Sequence, residues 1–290
     1  MVLDFDQLEA FAAAVSEGTM EAAAATLHVT PSAISQRIKS LEIAVGRVLL
    51  IRTRPLRPTS SGEKLLRTAR QIETITAEAT RDLEGAGPDE RQTVALAVNA
   101  DSLATWFVPA LAALDVPIVF DLRRADETLT SELLRDGTVM AAVTSSSKPV
   151  PGCTVELLGS MRYRARAAER FAAEWFPDGV TGEQLARAPV VAFDRDDQIQ
   201  DRYLRRRTRR RVQPPRHYVP GSNAFAQAVR LGLGWGMVPD LQADGRPRMV
   251  ELDPRGTIDV RLFWQQWRLP SAALQALAEV VRREAAVHLR

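Results

Sequence analysis

Cysteine and histidine are scarce in this sequence of 290 residues, which contains one cysteine and three histidines. A single cysteine, Cys153, excludes an internal disulfide framework and a cysteine-based metal cluster, so we interpret it as a small buried apolar residue. The histidines fall in a predicted turn, a strand and the terminal helix, and supply little material for a Ser-His-Asp triad or a metal site. We therefore predict that the chain is not an enzyme, with carboxylate chemistry by Asp126, Asp194 or Asp197 left as an alternative.

Long apolar runs are also missing. No stretch reaches the roughly 18 apolar residues that a membrane span requires, and the chain begins with an acidic amphipathic helix instead of a signal peptide. We expect a cytoplasmic protein without membrane contact. The hydrophobic fraction of 46% over 290 residues suits two or three domains with cores of their own.

Strong net charge is the third absence, since the whole chain carries only +2. A claim of nucleic-acid binding must therefore rest on how the charge is distributed. Between Arg37 and Arg70 there are nine basic residues and two acidic ones, a local charge of +7. This basic segment begins in the helix that ends the stretch Thr19 to Leu41 and continues beyond it.

That stretch, Thr19 to Leu41, predicts two short helices joined by a tight turn. The first helix, Met20 to Leu27, is almost all alanine, which allows a second helix to cross it closely. Val29-Thr30-Pro31-Ser32 supplies a turn, a threonine cap and a proline at the first helical position. From there Ile34, Ile38, Leu41 and Val45 form one apolar face, and the opposite face is polar and basic.

Such a helix can enter a DNA major groove and read base edges. An ordinary amphipathic hairpin is the alternative, but the turn, the basic face and the basic segment that follows agree on DNA binding. The predicted DNA-contacting residues are Thr30, Ser32, Ser35, Gln36, Arg37, Lys39, Arg52 and Arg54.

The flanking segments complete a DNA-binding unit. Asp4 to Glu17 predicts a supporting helix, and the short strand Val48 to Thr53 leads into a proline-containing hairpin, or wing. Ser60 or Ser61 is expected to cap a long helix whose spacing is that of a two-stranded coiled coil, and which would serve dimerisation. The predicted seam consists of Leu65, Ala69, Ile72, Thr76, Ala79 and Leu83. Residues 84–89 have the composition of a hinge.

From residue 93 strands and helices alternate, which predicts a parallel sheet. Its strands are Thr93 to Val98, Val116 to Leu122 and Thr138 to Val143, with helices at Ser102 to Leu114 and Thr128 to Arg135. A second lobe follows, with strands near Val190 to Phe193, His217 to Val219 and Trp235 to Val238. The helix Ser271 to Arg290 is expected to return to the first sheet. Two such lobes form a cleft.

Ligands of such sheets bind outside the carboxyl ends of the strands, where polar residues cluster here. Ser102, Ser145 and Ser222 are candidates to hold a carboxylate, and Asn99 and Asp126 to hold an ammonium group. For a basic side chain the candidates are Asp101, Asp196 and Asp197. Helix capping and turn formation are the alternative for each aspartate.

Two further motifs receive plainer interpretations. Gly232-Leu-Gly234-Trp-Gly236 lies after a helix and before a strand, the reverse of a phosphate-binding loop, so we interpret it as a tight turn. The run Arg205 to Arg211 is interpreted as a solvated surface of the distal lobe, with nucleic-acid binding as the alternative.

TMEAAAATLHVTPSAISQRIKSLE and the wing TRPLRPTSSGEKLL resemble the winged helix-turn-helix of LysR-type transcriptional regulators. Met20 departs from the serine–aromatic pair that usually opens the second helix in that family. The remainder is similar to the family's periplasmic-binding-protein-like effector domain. Within the family, LLIRTRPLRPT, VNADSLATWFVPAL, AAVTSSSKPVPGC, FDRDDQIQDRYL and LGWGMVPDLQ most resemble the ArgP/LysG/IciA subgroup, activators of basic amino-acid exporters.

The resemblance implies a two-lobed α/β effector domain preceded by a mainly helical winged helix-turn-helix domain and a long linker helix. The expected boundaries are 1–60 for the DNA-binding domain, 61–90 for linker helix and hinge, and 91–290 for the effector domain. Lobe I takes about 91–161 and 265–290, and lobe II about 162–264. The resemblance also implies double-stranded DNA and RNA polymerase as partners and a homodimer or tetramer. It implies no cofactor, and L-lysine or L-arginine as the effector. A solute-binding protein with the same two-lobed cleft is an alternative function, and the N-terminal helix-turn-helix disfavours it.

Overall fold

A computed structural model describes residues 3–84, 91–209, 211–244 and 248–290. The predicted hinge at 84–89 lies almost wholly outside the described residues, as does the expected boundary at residue 90. The N-terminal elements are α1 (Phe5–Glu17), α2 (Met20–Thr26), α3 (Pro31–Val45), β1 (Leu50–Ile51), β2 (Arg57–Pro58) and α4 (Ser60–Glu84).

The first three helices form as the sequence predicts because each has an N-terminal cap. Asp4, Thr19 and Thr30 accept hydrogen bonds from backbone N–H groups in the first turns of α1, α2 and α3. Thr19 therefore caps α2 although the family's usual pair is absent at Met20. Their apolar faces meet in one core, whose buried residues include Leu8, Phe11, Ala14, Ala23, Ala24, Ile34, Ile38 and Leu41.

The wing is shorter than predicted, with two residues in each antiparallel strand. It is fastened to the helices by Leu56 N–H, which donates to Gly18 O at 2.8 Å. Gly18 has φ of 75°, and a Cβ there would lie 3.0 Å from Pro55 Cβ, so only glycine suits this junction.

The cap of α4 is Thr59, and the expectation of Ser60 or Ser61 was wrong. Thr59 Oγ1 accepts from Gly62 N–H at 3.1 Å, because the helix begins one residue earlier than expected. A Cβ on Gly62 would lie 2.1 Å from Leu49 O, so the start of α4 passes directly over the wing strand.

The predicted seam of α4 is divided between two environments. Ala69 is buried in the core of the DNA-binding domain, and Leu65 and Ile72 pack against that core. Further along, Leu83 is 87% exposed and Ile75, beside the seam, is 43% exposed. Among the described side chains of α4, the exposed large apolar ones lie in its C-terminal half.

The effector domain contains the remaining elements. In lobe I these are β3 (Gln92–Val98), α5 (Ala100–Ser102), a π-helical turn (Leu103–Phe107), α6 (Val108–Ala112), β4 (Ile118–Arg124), α7 (Glu127–Asp136) and β5 (Ala141–Thr144). They are followed by β6 (Cys153–Ala168), α8 (Glu169–Trp175), α9 (Gly182–Arg187), β7 (Val190–Ala192), α10 (Ile199–Thr208), β8 (Arg216–Tyr218), α11 (Ser222–Arg230), β9 (Gly236–Pro239), a 3-10 turn (Asp240–Gln242), β10 (Met249–Glu251), β11 (Thr257–Trp267) and α12 (Ala272–His288).

Strands β3, β4 and β5 are parallel, as predicted, and belong to a mixed sheet in the order β10-β6-β11-β5-β3-β4. The two long strands β6 and β11 were not predicted, and they pair antiparallel from Cys153–Trp267 to Arg164–Thr257. The expected lobe boundaries at 161/162 and 264/265 fall within them. The lobes are therefore joined by continuous sheet, with β9 and β10 added to the distal half of β6.

The alternation of apolar and arginine residues explains why the distal half of β6 forms a strand. Met161, Tyr163, Ala165 and Ala167 are buried, whereas the intervening arginines are half-buried and form ion pairs. Those pairs join Arg162 to Asp259, Arg164 to Asp240 and Glu251, and Arg166 to Asp240.

Candidate DNA-binding surface and ligand cleft

Helix α3 presents its polar face outward because its apolar face is held in the core. Ile34 and Leu41 are fully buried, whereas Ser32, Gln36 and Lys39 are exposed. Gln36 and Lys39 offer the donors and acceptors that reading of base edges requires, and Ser32 adds a hydroxyl.

Two other predicted DNA-contacting residues, Thr30 and Arg37, have partners within the domain. Thr30 Oγ1 accepts from Ala33 N–H at 3.2 Å and lies 2.9 Å from Ser32 Oγ. Arg37 pairs with Asp6 at 2.7 Å, which fixes α3 against α1, and Ser35 is half-buried. In the wing, Arg52 and Arg54 are exposed beside the same surface. Helix and wing together form a basic surface, and the assignment of individual DNA contacts stays a prediction.

The cleft is organised around Asp101, which lies in α5 at the carboxyl end of β3. Its carboxylate accepts from Tyr163 Oη at 2.6 Å and from Ser222 Oγ at 2.5 Å. Gln242 Nε2 donates to Ser222 Oγ at 2.9 Å. Since Asp101 belongs to lobe I and Ser222 to lobe II, this network crosses the cleft and joins the lobes.

Burial strengthens the network. Tyr163 is buried, and its pKa is raised well above the usual value, first by burial and then by the charge of Asp101. The phenol therefore stays protonated and donates to the carboxylate. A second contact between the lobes places Arg124, at the end of β4, 5.5 Å from the ring centre of Phe193, just after β7.

Several buried polar atoms have no hydrogen-bond partner within the described ranges. Among them are Asn99 Oδ1, Ser102 Oγ and Gln242 Oε1. Asn99 and Ser102 flank Asp101 in the chain, and Gln242 reaches the same network through Ser222. Unsatisfied buried polar groups are costly, so their concentration here is typical of a site that a ligand completes.

Asp197 lies on the lobe II side, in the turn that follows β7. Its carboxylate accepts from Phe193 N–H and Ile199 N–H, both at 3.0 Å. Burial raises its pKa above the ordinary range for an aspartate, opposed by these two N–H donors and assisted by the charge of Asp101. Two carboxylates from opposite lobes therefore act on each other electrostatically, which makes the cleft favourable for a cation.

The remaining predicted effector residues occupy less specific positions. Asp126 Oδ1 accepts from Leu129 N–H at 2.8 Å and caps α7. Asp196 is exposed in a turn where its N–H donates to Asp194 Oδ1, and Ser145 is exposed after β5. These positions fit the capping and turn roles that the sequence left open for the aspartates.

Tyr163 and Gln242 are the cleft residues that the sequence did not reveal. Tyr163 lies within a long strand and Gln242 in a 3-10 turn after β9, whereas the predicted ligand-binding residues lie at strand ends and helix starts. The alternation of buried residues along β6 was the available signal for Tyr163.

The arginine run has mixed surroundings. Arg207 pairs with the buried Asp253 at 2.8 Å, and Arg206 donates to Thr257 O at 3.2 Å. Arg205 is exposed, and Arg210 lies outside the described residues. Within those ranges no group of three or more potential metal ligands occurs, and no helix has the length and apolarity of a membrane span.

Known proteins match both domains. Residues 5–63 match the bacterial regulatory helix-turn-helix protein, lysR family, and residues 88–286 match the LysR substrate binding domain. The lysine export transcriptional regulatory protein LysG of Corynebacterium efficiens is 41% identical over 286 residues, which are 95% of this chain and 96% of that protein.

Two solved structures share the whole architecture. The crystal structure of ArgP from Mycobacterium tuberculosis has a TM-score of 0.90 and 42% identity, covering 100% of this chain and 99% of that one. Full-length LysG from Corynebacterium glutamicum with bound effector Arg has a TM-score of 0.82 and 36% identity, covering 99% and 100%. The predicted family and fold class are confirmed, and the chain belongs to the LysR family of transcriptional regulators.

Proposed function

We propose that this regulator activates the gene of a basic amino-acid exporter when L-arginine or L-lysine occupies its cleft. The observation that carries the proposal is the network at Asp101, where a carboxylate of lobe I meets a serine of lobe II and a buried tyrosine. A ligand placed there contacts both lobes, so its binding energy can favour one lobe arrangement over another.

The charge of the cleft supports a cationic ligand. Asp101 and Asp197 face it from opposite lobes, and a guanidinium or ammonium group would neutralise them. Asn99, Ser102 and Ser222 supply amide, hydroxyl and backbone groups for the ligand's carboxylate and ammonium. The relatives agree with this class: one is named for lysine export and another holds arginine.

The assembly and partners belong to the same proposal. We expect a homodimer through the exposed half of α4, and a tetramer made of two such dimers on DNA. Two-fold assemblies of this kind match paired half-sites. The regulator would act in the cytoplasm, where its DNA lies, and would recruit RNA polymerase. A LysR-type regulator with a different small effector is the alternative.

Calorimetric titration of the full chain with arginine, lysine and citrulline tests the effector. Citrulline has nearly the shape of arginine without its charge, so a site built on carboxylates should bind it at least about tenfold more weakly. Asp101→Asn should remove that discrimination, whereas Asp121→Asn, at a half-exposed position on β4 where the carboxylate pairs with Arg123, should keep it. Equal affinity for citrulline, or no binding of any of the three, would refute the basic effector.

A further inference from the structure

A second cavity lies in lobe II. Its volume is about 550 Å³, it is open to solvent, and it is bordered by α10, residues 211–214, β8 and the turn after β7. The lining residues that matter are Arg195, Asp201, Arg205, Arg211, Arg216 and Tyr218. None of the cleft residues Asp101, Tyr163 and Ser222 belongs to this lining, so the cavity is separate from the effector network.

The cavity carries excess positive charge. Arg216 forms an ion pair with Asp201, which neutralises one of the four arginines. No carboxylate of the described chain forms an ion pair with Arg195, Arg205 or Arg211. Asp201 and Arg205 are four residues apart on α10 and therefore lie on one face of the helix, which directs Arg205 to the same space.

An aromatic ring orients one of these arginines. The guanidinium carbon of Arg195 lies 4.8 Å from the ring centre of Tyr218, a cation–π arrangement that holds its planar group in place. A fixed guanidinium presents a flat face and a fork of N–H donors to the cavity. Its immobilisation reduces the entropy that ligand binding would otherwise cost.

We propose that this cavity binds a multiply charged phosphate-bearing anion, such as pyrophosphate or a nucleoside diphosphate. Guanidinium forks match phosphate oxygens in pairs, and three uncompensated arginines require more negative charge than one carboxylate supplies. The volume lies within the roughly 300–1,000 Å³ of small-molecule sites. A ring stacked on Arg195 would distinguish a nucleotide from free pyrophosphate.

Calorimetry on the full chain at physiological ionic strength tests this site, with pyrophosphate, ADP and adenosine as probes. The double variant Arg205→Ala/Arg211→Ala should weaken binding of pyrophosphate by about a hundredfold, since each charged hydrogen bond contributes about tenfold. The matched control Arg187→Ala/Arg255→Ala removes two exposed charges from the same lobe outside the cavity and should leave the affinity unchanged.

The probes also identify the ligand. Tighter binding of ADP than of pyrophosphate supports a nucleotide, and equal binding supports recognition of the phosphates alone. Adenosine binding as well as ADP, absence of pyrophosphate binding, or equal weakening by the control variant would overturn the proposal. Light scattering provides a further test, because loss of the parental assembly in the Arg205/Arg211 variant alone would assign these arginines to a contact between subunits and overturn it.

Discussion

We expect single side chains on α3 and the wing to differ in what they contribute to DNA binding, some reading bases and others attracting the phosphates. Gln36 is exposed with both a donor and an acceptor, so Gln36→Ala should narrow the gap between specific and non-specific affinity. Arg52 offers charge alone, so Arg52→Ala should weaken binding to every sequence and reduce the salt slope by about one. Fluorescence anisotropy at several salt concentrations measures both, with Arg135→Ala on the effector domain as control. Two variants with unchanged specific affinity and salt slope would disprove this division.

The carboxylate of Asp197 predicts a pH dependence of effector binding. Because its pKa is raised in the free chain, a cation that pairs with it must displace a proton at acidic pH. The affinity for arginine should therefore rise with pH through that raised pKa and level off above it. Titrations in buffers of different ionisation enthalpy measure the released proton. Asp197→Asn should abolish the slope, and a slope that persists in this variant would assign the proton to another group.

At the scale of elements, the junction of wing and α4 depends on a missing side chain. A Cβ at Gly62 would lie 2.1 Å from Leu49 O, so Gly62→Ala must displace backbone and should cost about 1–3 kcal/mol or more of unfolding free energy. Gly182→Ala is the matched control, since its Cβ would meet Thr208 at an ordinary 3.7 Å. Urea unfolding of both variants decides, and equal midpoints would contradict the close approach.

The linker helix should assemble through its C-terminal half. Charges at Ile75 and Leu83, which are exposed, should give smaller assemblies, whereas Ala77→Glu on the opposite side of α4 should not. Light scattering of Ile75→Glu/Leu83→Glu against Ala77→Glu provides the test. The parental mass in the double variant would show that α4 is not the main interface. Charges at Leu65 and Ile72 are less informative, because these residues also support the DNA-binding core.

The sequence predicted elements well where periodicity was undisturbed. Helices α1 to α3, the parallel strands β3 to β5 and the cap at Thr30 follow from spacing and capping residues within a few positions. The long strands β6 and β11 were missed because their pairing joins segments far apart in the chain, such as Met161 and Val260, and Tyr163 was missed with them. Asp101 and Ser222, 121 residues apart in the chain, were both named, but their direct contact depends on how the lobes pack.

Across the whole molecule, one arginine of the linker helix α4 contacts both the DNA-binding domain and lobe I of the effector domain. Arg70 donates to Ser16 Oγ at 2.9 Å, to Asp136 O at 3.1 Å and to Thr138 Oγ1 at 3.1 Å. Gly137 allows this approach, since a Cβ there would lie 3.1 Å from Arg67 Cα. Helix α7 begins at the carboxyl end of β4 and ends at Asp136, so it connects the cleft edge to the DNA-binding domain.

Replacement of Arg70 should therefore uncouple the two sites. Arg70→Gln should still bind effector and DNA, but the factor by which each changes the affinity of the other should shrink towards one, in both directions. Arg81→Gln is the control, since the Arg81 side chain donates to Ala77 O within α4 itself. Anisotropy with and without arginine measures the factor, and an unchanged factor in Arg70→Gln would exclude this route.

The most direct test of a regulator responsive to basic amino acids is a quantitative footprint on DNA upstream of its own gene. Arginine and lysine should change the protected region or the affinity, citrulline should change neither, and Asp101→Asn should respond to none of the three while still protecting the DNA. An equal response to citrulline, or a protected region that no amino acid alters, would contradict the account.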